Sequence, residues 1–212
     1  MIETILLGVA SYLIGSIPFG YVLVYLLRGI DVRTVGSKSL GATNVARALG
    51  TPWFAVVFSL DFAKGFVPAF VLGGIAERSF GASPEVGIAY GVAAMAGHIW
   101  PVYLRFRGGK GVATAAGAVT GITPAATGVA ALVFLVTLLL GRMVGLGSMV
   151  ASVALPIAYV LLEGRDASAV TVGALVLMAA LVVFKHRTNI ARIAKGEEPK
   201  IFGKRGKETP DA

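Results

Sequence analysis

A chain of 212 residues that is 56% hydrophobic and 14% charged, with mean hydropathy +0.82, is excluded from the ordinary soluble domains, which average about 25% charged residues. Its net charge of +8 sits between and after apolar runs, which points to anionic headgroups and small anionic substrates and away from nucleic acid. The absence of cysteine excludes disulfides, thiolate metal sites and a cysteine nucleophile, and two histidines are too few for a His-rich metal site, so no metal and no cofactor are expected.

About 20 apolar residues cross a hydrocarbon core as a helix. In chain order the candidates are 3–27, 52–76, 85–104, 110–122, 124–140, 145–162 and 168–184. The run 3–27 has no basic leader and no cleavage site, and is expected to stay as the first span. The run 110–122 is short, and Thr123-Pro124 separates it from the next, so 110–140 is either one kinked span or two spans. Charge favours two. With seven spans and the N-terminus outside, the inner segments hold Arg28, Arg33, Lys38, Arg47, Arg105, Arg107, Lys110, Arg142 and the basic tail, and the outer segments hold only Arg78 and Arg165. The predicted fold is therefore all-α: a seven-helix membrane domain over residues 1–196 and a polar cytoplasmic tail over 197–212, disordered or headgroup-associated. Gly87/Gly91, Gly117/Gly121 and Gly141/Gly145 have the spacing of close helix packing.

Four segments carry chemistry. GSKSLGATNVARALG (36–50) is a Gly/Ser/Thr loop able to turn amides and hydroxyls toward an oxyanion. Thr43 or Asn44 suits an N-cap there, and Arg47 near a helix start would oppose the dipole unless a phosphate favoured it. Asp61 and Lys64 lie three apart inside an apolar run, where charges are functional or paired. In GHIWPVYLRFRGGKGVAT (97–114), Gly108-Gly109-Lys110-Gly111 meets a helix start and suits an anion, although it is not a Walker A loop. HRTNIARIAKG (186–196) leaves the last span, and its Asn189-x-x-Arg192 echoes Asn44-x-x-Arg47, as though both capped short interfacial helices.

Taken together, these segments resemble the acyl-phosphate-dependent glycerol-3-phosphate acyltransferases of bacteria, whose motifs run GSGNxGATNxxRxxG, GHxxPxxxxFKGGKGVAT and HRxNIxRLxxG. The DFAKGFVP segment matches too, and the likeness covers almost the whole chain. It implies a multi-pass protein of the bacterial inner membrane, its site toward the cytoplasm. It implies acyl transfer from acyl phosphate to the 1-hydroxyl of sn-glycerol 3-phosphate, giving lysophosphatidic acid and phosphate in phospholipid synthesis. Membrane lipids and the enzyme that forms acyl phosphate are the implied partners. The motifs put Lys110, Arg47, Asp61 and His98 in catalysis. They put Ser37, Ser39, Thr43, Asn44, Lys64, Gly108, Gly109, Gly111, His186 and Asn189 in substrate binding. The family's Gly-Asn is Lys38-Ser39 here, and a family Lys is Arg107.

The activated donor lets binding and charge stabilisation supply much of the catalysis. Neither histidine has a carboxylate beside it in sequence and there is no HxxxxD dyad, so Asp61, His98 and a substrate phosphate oxygen all stand as proton acceptors. Two other readings compete. An organic-phosphate transporter would suit the intramembrane charges, and a weakly active paralogue would suit Lys38-Ser39.

Overall fold

The computed structural model describes residues 1–201. Every element among them is helical. In chain order the α-helices are α1 (Ile2–Ser16), α2 (Phe19–Arg28), α3 (Ala42–Leu49), α4 (Pro52–Phe66), α5 (Gly73–Phe80), α6 (Val86–Ile99), α7 (Val112–Ile122), α8 (Pro124–Gly141), α9 (Val144–Glu163), α10 (Ala169–Lys185) and α11 (Arg187–Ala194).

Four apolar helical stretches are long enough to cross a membrane: Ile2–Arg28, Pro52–Phe80, Pro124–Gly141 and Val144–Asp166. A fifth, α10, continues into α11 through a 54° bend. In the first stretch Pro18 interrupts the helix between α1 and α2. In the second, Pro68 also lacks an N–H, and the chain passes it as a π-helix, Val67–Leu72, before α5 resumes. The run expected at 85–104 ends as helix at Ile99, before Pro101, and α7 has only 11 residues. At 1.5 Å per residue, α6 and α7 are about 21 and 16 Å long, short of a core of about 30 Å.

The stretch 110–140 forms two helices, broken at Thr123 (φ −131°, ψ 64°) ahead of Pro124. They have different main neighbours: α7 packs on α4 and α6, and α8 on α9. Helices α1 and α6 form another close pair, and α9 also packs on α10.

Small residues set these distances. A Cβ on Gly117 would run into the Phe62 carbonyl of α4, and one on Gly91 would lie 2.7 Å from the Ala118 Cβ of α7. The main core comes from α6 to α10, with Ile88, Met95, Ile99, Val119, Leu175 and Met178 all buried. A second cluster, Val24, Val32, Leu40, Val45 and Val57, anchors the loop before α3 onto α2 and α4. The outward side of α4 and of the π-helix after it carries a ladder of Phe54, Phe58, Phe62, Phe66 and Phe70, with successive ring centroids 5.1–6.2 Å apart. Phe54, Phe58 and Phe70 are more than a third exposed, as fits a lipid-facing surface.

Backbone bonds hold the first residues after Gly196 against the helices. Gly196 (φ 72°) donates to Ile193 O and Glu197 N donates to Arg192 O, a Schellman turn that reverses the chain after α11. Ile201 N then donates to Arg142 O at 2.7 Å. Lys204, Arg205 and Lys207 of the expected basic tail lie outside the described residues.

Candidate active site

Helix α3 starts earlier than expected. Gly41 is its N-cap, so Thr43 and Asn44 lie inside the first turn and neither caps it. Arg47 falls in the last turn, where the dipole favours a cation. The expectation that Arg47 stands at a helix start, where it would need a phosphate to favour it, is therefore overturned. Asn189 is likewise not a cap: His186 is the N-cap of α11, and Asn189 is its third residue. The echo between the two segments is nonetheless real in register, since both put Asn at the third helical position and Arg at the sixth.

The two asparagines do different work. Asn44 is buried and its amide organises the loop: Nδ2 donates to the carbonyls of Val32, Val35 and Ser39 at 3.0–3.1 Å, and Oδ1 accepts from Ser37 N at 2.8 Å. Gly36 (φ 55°) is required there, because a Cβ would collide with Asn44 Oδ1. Ser39 Oγ accepts from Gly41 N. Asn189 instead joins distant segments. Its Oδ1 accepts from Lys110 Nζ at 2.5 Å, and its Nδ2 donates to Glu198 at 2.6 Å. Glu198 also pairs with Arg192 Nε at 2.7 Å.

Lys110 is thus held beside α11 by the glycine turn. Gly109 N donates to His98 O at 3.1 Å, and Cβ atoms on Gly108 and Gly109 would strike His98 O and His98 Nε2. Gly111 (φ 81°) caps α7. Burial lowers the Lys110 pKa to about 8. The charges of Arg192 and Arg47 push the same way, and Glu198 opposes them. Motif residues from three loops therefore share one electrostatic neighbourhood. His186 is buried, and its Nδ1–H donates to Val182 O at 2.8 Å. Burial, then the Lys110 charge, lowers its pKa to about 4, so it is neutral at pH 7 with Nε2 as an acceptor.

Asp61, Lys64 and His98 form a separate buried group. Lys64 Nζ lies 2.8 Å from Asp61 Oδ1 and donates to Ile17 O at 2.8 Å, where the chain breaks between α1 and α2. His98 Nδ1 is 3.7 Å from the same carboxylate oxygen. A narrow pocket bordered by Ser16, Phe19, Leu40 and Pro101 reaches this group.

Sequence reasoning missed Glu198, a carboxylate in an apparently polar tail, and gave Arg192 no site role. The Lys195-Gly196 step was the available signal, since a glycine after a basic last turn marks a helix C-terminus. Among the described residues no cluster of His, Asp and Glu could hold a metal ion.

The profile of a family described as glycerol-3-phosphate acyltransferase matches residues 5–196. A relative of that description from Desulforamulus reducens is 43% identical over 204 residues, 96% of this chain and 98% of its own. One from Aquifex aeolicus is 40% identical, covering 92% and 98%. The crystal structure of PlsY (YgiH), an integral membrane glycerol 3-phosphate acyltransferase in its glycerol 3-phosphate form, superposes with a TM-score of 0.85 at 39% identity, covering 93% of this chain and 95% of that one. The lysophosphatidic acid form gives 0.81 at 38%.

Proposed function

This chain belongs to the glycerol-3-phosphate acyltransferase family, and on that premise we propose that it transfers a fatty acyl group from acyl phosphate to the 1-hydroxyl of sn-glycerol 3-phosphate. The observation that carries this reading is the 2.5 Å bond from Lys110 of the glycine turn to Asn189 of α11, with Arg47 close enough to act on Lys110.

In the proposed site the glycerol 3-phosphate phosphate lies against Lys110, Arg47 and Asn189. Ser37, Thr43 and the Gly108 amide face the acyl phosphate, while the Gly109 amide is engaged by the His98 carbonyl. The substrate hydroxyl oxygen attacks the acyl carbon, the bond from that carbon to the bridging phosphate oxygen breaks, and its electron pair leaves with the phosphate. The hydroxyl proton passes to a phosphate oxygen. Asp61 is a poorer acceptor because it is buried and held by Lys64. His98 serves mainly to seat the glycine turn through its carbonyl and ring. Asn44 acts by holding the first loop in shape.

The same reading has seven membrane-inserted segments, with the N-terminus outside and the site at the cytoplasmic face of the inner membrane.

The test is phosphate release by purified protein. Release should need both acyl phosphate and glycerol 3-phosphate. Lys110→Ala and Arg47→Ala should each lower kcat/KM by about 10- to 100-fold, as expected for loss of a charge-assisted contact. Full turnover in both variants would overturn the site assignment.

A further inference from the structure

The buried group where α1, α4 and α6 meet contains a histidine that packing alone does not explain. The His98 ring lies against the glycine turn, since a Cβ on Gly109 would strike its Nε2. A phenyl ring would fill that space without bringing two nitrogens into an apolar helix. The cost of the nitrogens is visible in the hydrogen bonds. Among the described residues three buried side-chain atoms have no hydrogen-bond partner, and two of them are His98 Nδ1 and Asp61 Oδ1. These two face each other at 3.7 Å.

The carboxylate has a use without the histidine. It balances Lys64, whose ammonium lies 2.8 Å from Asp61 Oδ1 and holds the Ile17 carbonyl at the break between α1 and α2. The histidine has no such use without the carboxylate. A carboxylate beside Nδ1 favours the tautomer with its proton on that nitrogen, and it opposes any rotation that would carry the proton away. The backbone at this point is already fixed: a Cβ on Gly97 would strike the Tyr12 carbonyl of α1, and His98 O accepts from Gly109 N at 3.1 Å. What Asp61 adds is the angle of the ring. Gly109 rests on the ring edge that carries Nε2, and the next residue is Lys110, which reaches Asn189 at 2.5 Å.

We propose that Asp61 is a positioning residue for the acyl transfer: it sets the His98 ring, the ring seats Gly109, and Gly109 sets the reach of Lys110 toward the substrate phosphate. Lys64 holds the carboxylate in place. The inference rests on the placement of the glycerol 3-phosphate phosphate at Lys110. A contact to that phosphate is remote from the reacting hydroxyl, so it is made alike in the ground and transition states. Loosening it raises KM and leaves kcat nearly unchanged. A purely structural pair would do the reverse, since a smaller folded fraction lowers apparent kcat and leaves KM alone.

The test is steady-state kinetics of the purified full-length protein at saturating acyl phosphate, well below the melting temperature of each variant. Asp61→Asn with Lys64→Met removes both charges together, so no lone charge stays buried. It should raise the KM for glycerol 3-phosphate about tenfold, with kcat within about threefold of the parent. His98→Phe keeps a ring on Gly109 and leaves the ion pair intact, so it tests the same path even if the double variant fails to fold. Its KM should rise similarly. Added to His98→Phe or to Lys110→Ala, the double substitution should bring no further rise, because each removes a link through which Asp61 acts. A fall in kcat at unchanged KM in His98→Phe or in the double variant would overturn the proposal, as would a fully additive rise in either combination. An unchanged KM in Lys110→Ala alone would overturn the placement of the phosphate itself, and this inference with it.

Discussion

Lys110 is pulled in two directions. Burial and the nearby Arg47 and Arg192 favour its neutral form, while Glu198 and Asn189 favour the ammonium, leaving a pKa of about 8. The charged form exists below that value and is lost as pH rises through it, since the group is lowered from 10.5. The kcat/KM for glycerol 3-phosphate should therefore fall above pH about 8, approaching tenfold per unit. Lys110→Arg should flatten that limb, because a guanidinium stays charged. A steady-state pH profile of both proteins checks this; an unchanged alkaline limb in the variant would assign it to another group. That Lys110 stands in a glycine turn ahead of α7 was legible from the Gly108–Gly111 run itself. The contacts of Asn44 were not, because an amide in a Gly/Ser loop reads the same whether it grips a ligand or the loop itself. Only its four backbone partners decide the matter.

Among the helices, Asp61 and Lys64 show how a charge in an apolar run is tolerated. One ion pair and one carbonyl, that of Ile17 at the Pro18 break, satisfy Lys64. Removing one partner leaves a buried charge, at a cost of about 3–5 kcal/mol. Lys64→Ala should thus lower the melting temperature in detergent sharply, and Asp61→Asn with Lys64→Met should be milder than Lys64→Ala alone. A double substitution at least as damaging as the single one would give the pair no structural role. A second consequence follows from the glycine turn. Gly109→Ala sets a methyl against His98 Nε2, so it should cut kcat/KM by more than tenfold, roughly 1.4 kcal/mol, with little change in helical circular dichroism. The two short helices α3 and α11 were visible in sequence as an Asn-x-x-Arg echo. Their starts were misplaced because Gly41 and His186 cap without a side-chain bond, and a sequence reading looks for one.

Across the whole molecule, side-chain and backbone bonds sort the loops into two groups. Lys110 joins the turn before α7 to α11, Ile201 joins the chain after α11 to Arg142 at the end of α8, and an open cleft lined by Lys38, Arg107 and Lys185 joins the first loop to the third and to the end of α10. At the other end, Ser168 lies 3.4 Å from Glu85, tying the loop before α6 to the loop before α10. These are the groups that positive-inside counting separates, reached through geometry instead of charge. They also bear on 110–140: α7 starts beside Lys110, and α8 ends at Arg142, which Ile201 ties to the chain after α11. The chain has no cysteine, so single cysteines report orientation without background. With the N-terminus outside, Thr34→Cys and Thr188→Cys should be shielded from a membrane-impermeant maleimide in intact cells and label only after permeabilisation. Ser83→Cys and Glu163→Cys should label at once. All four positions are exposed, so a negative result reflects the side of the membrane and not burial. Labelling of Thr188→Cys in intact cells would put Asn189 outside, and with it the cation cluster that the proposed phosphate chemistry needs facing the cytoplasm.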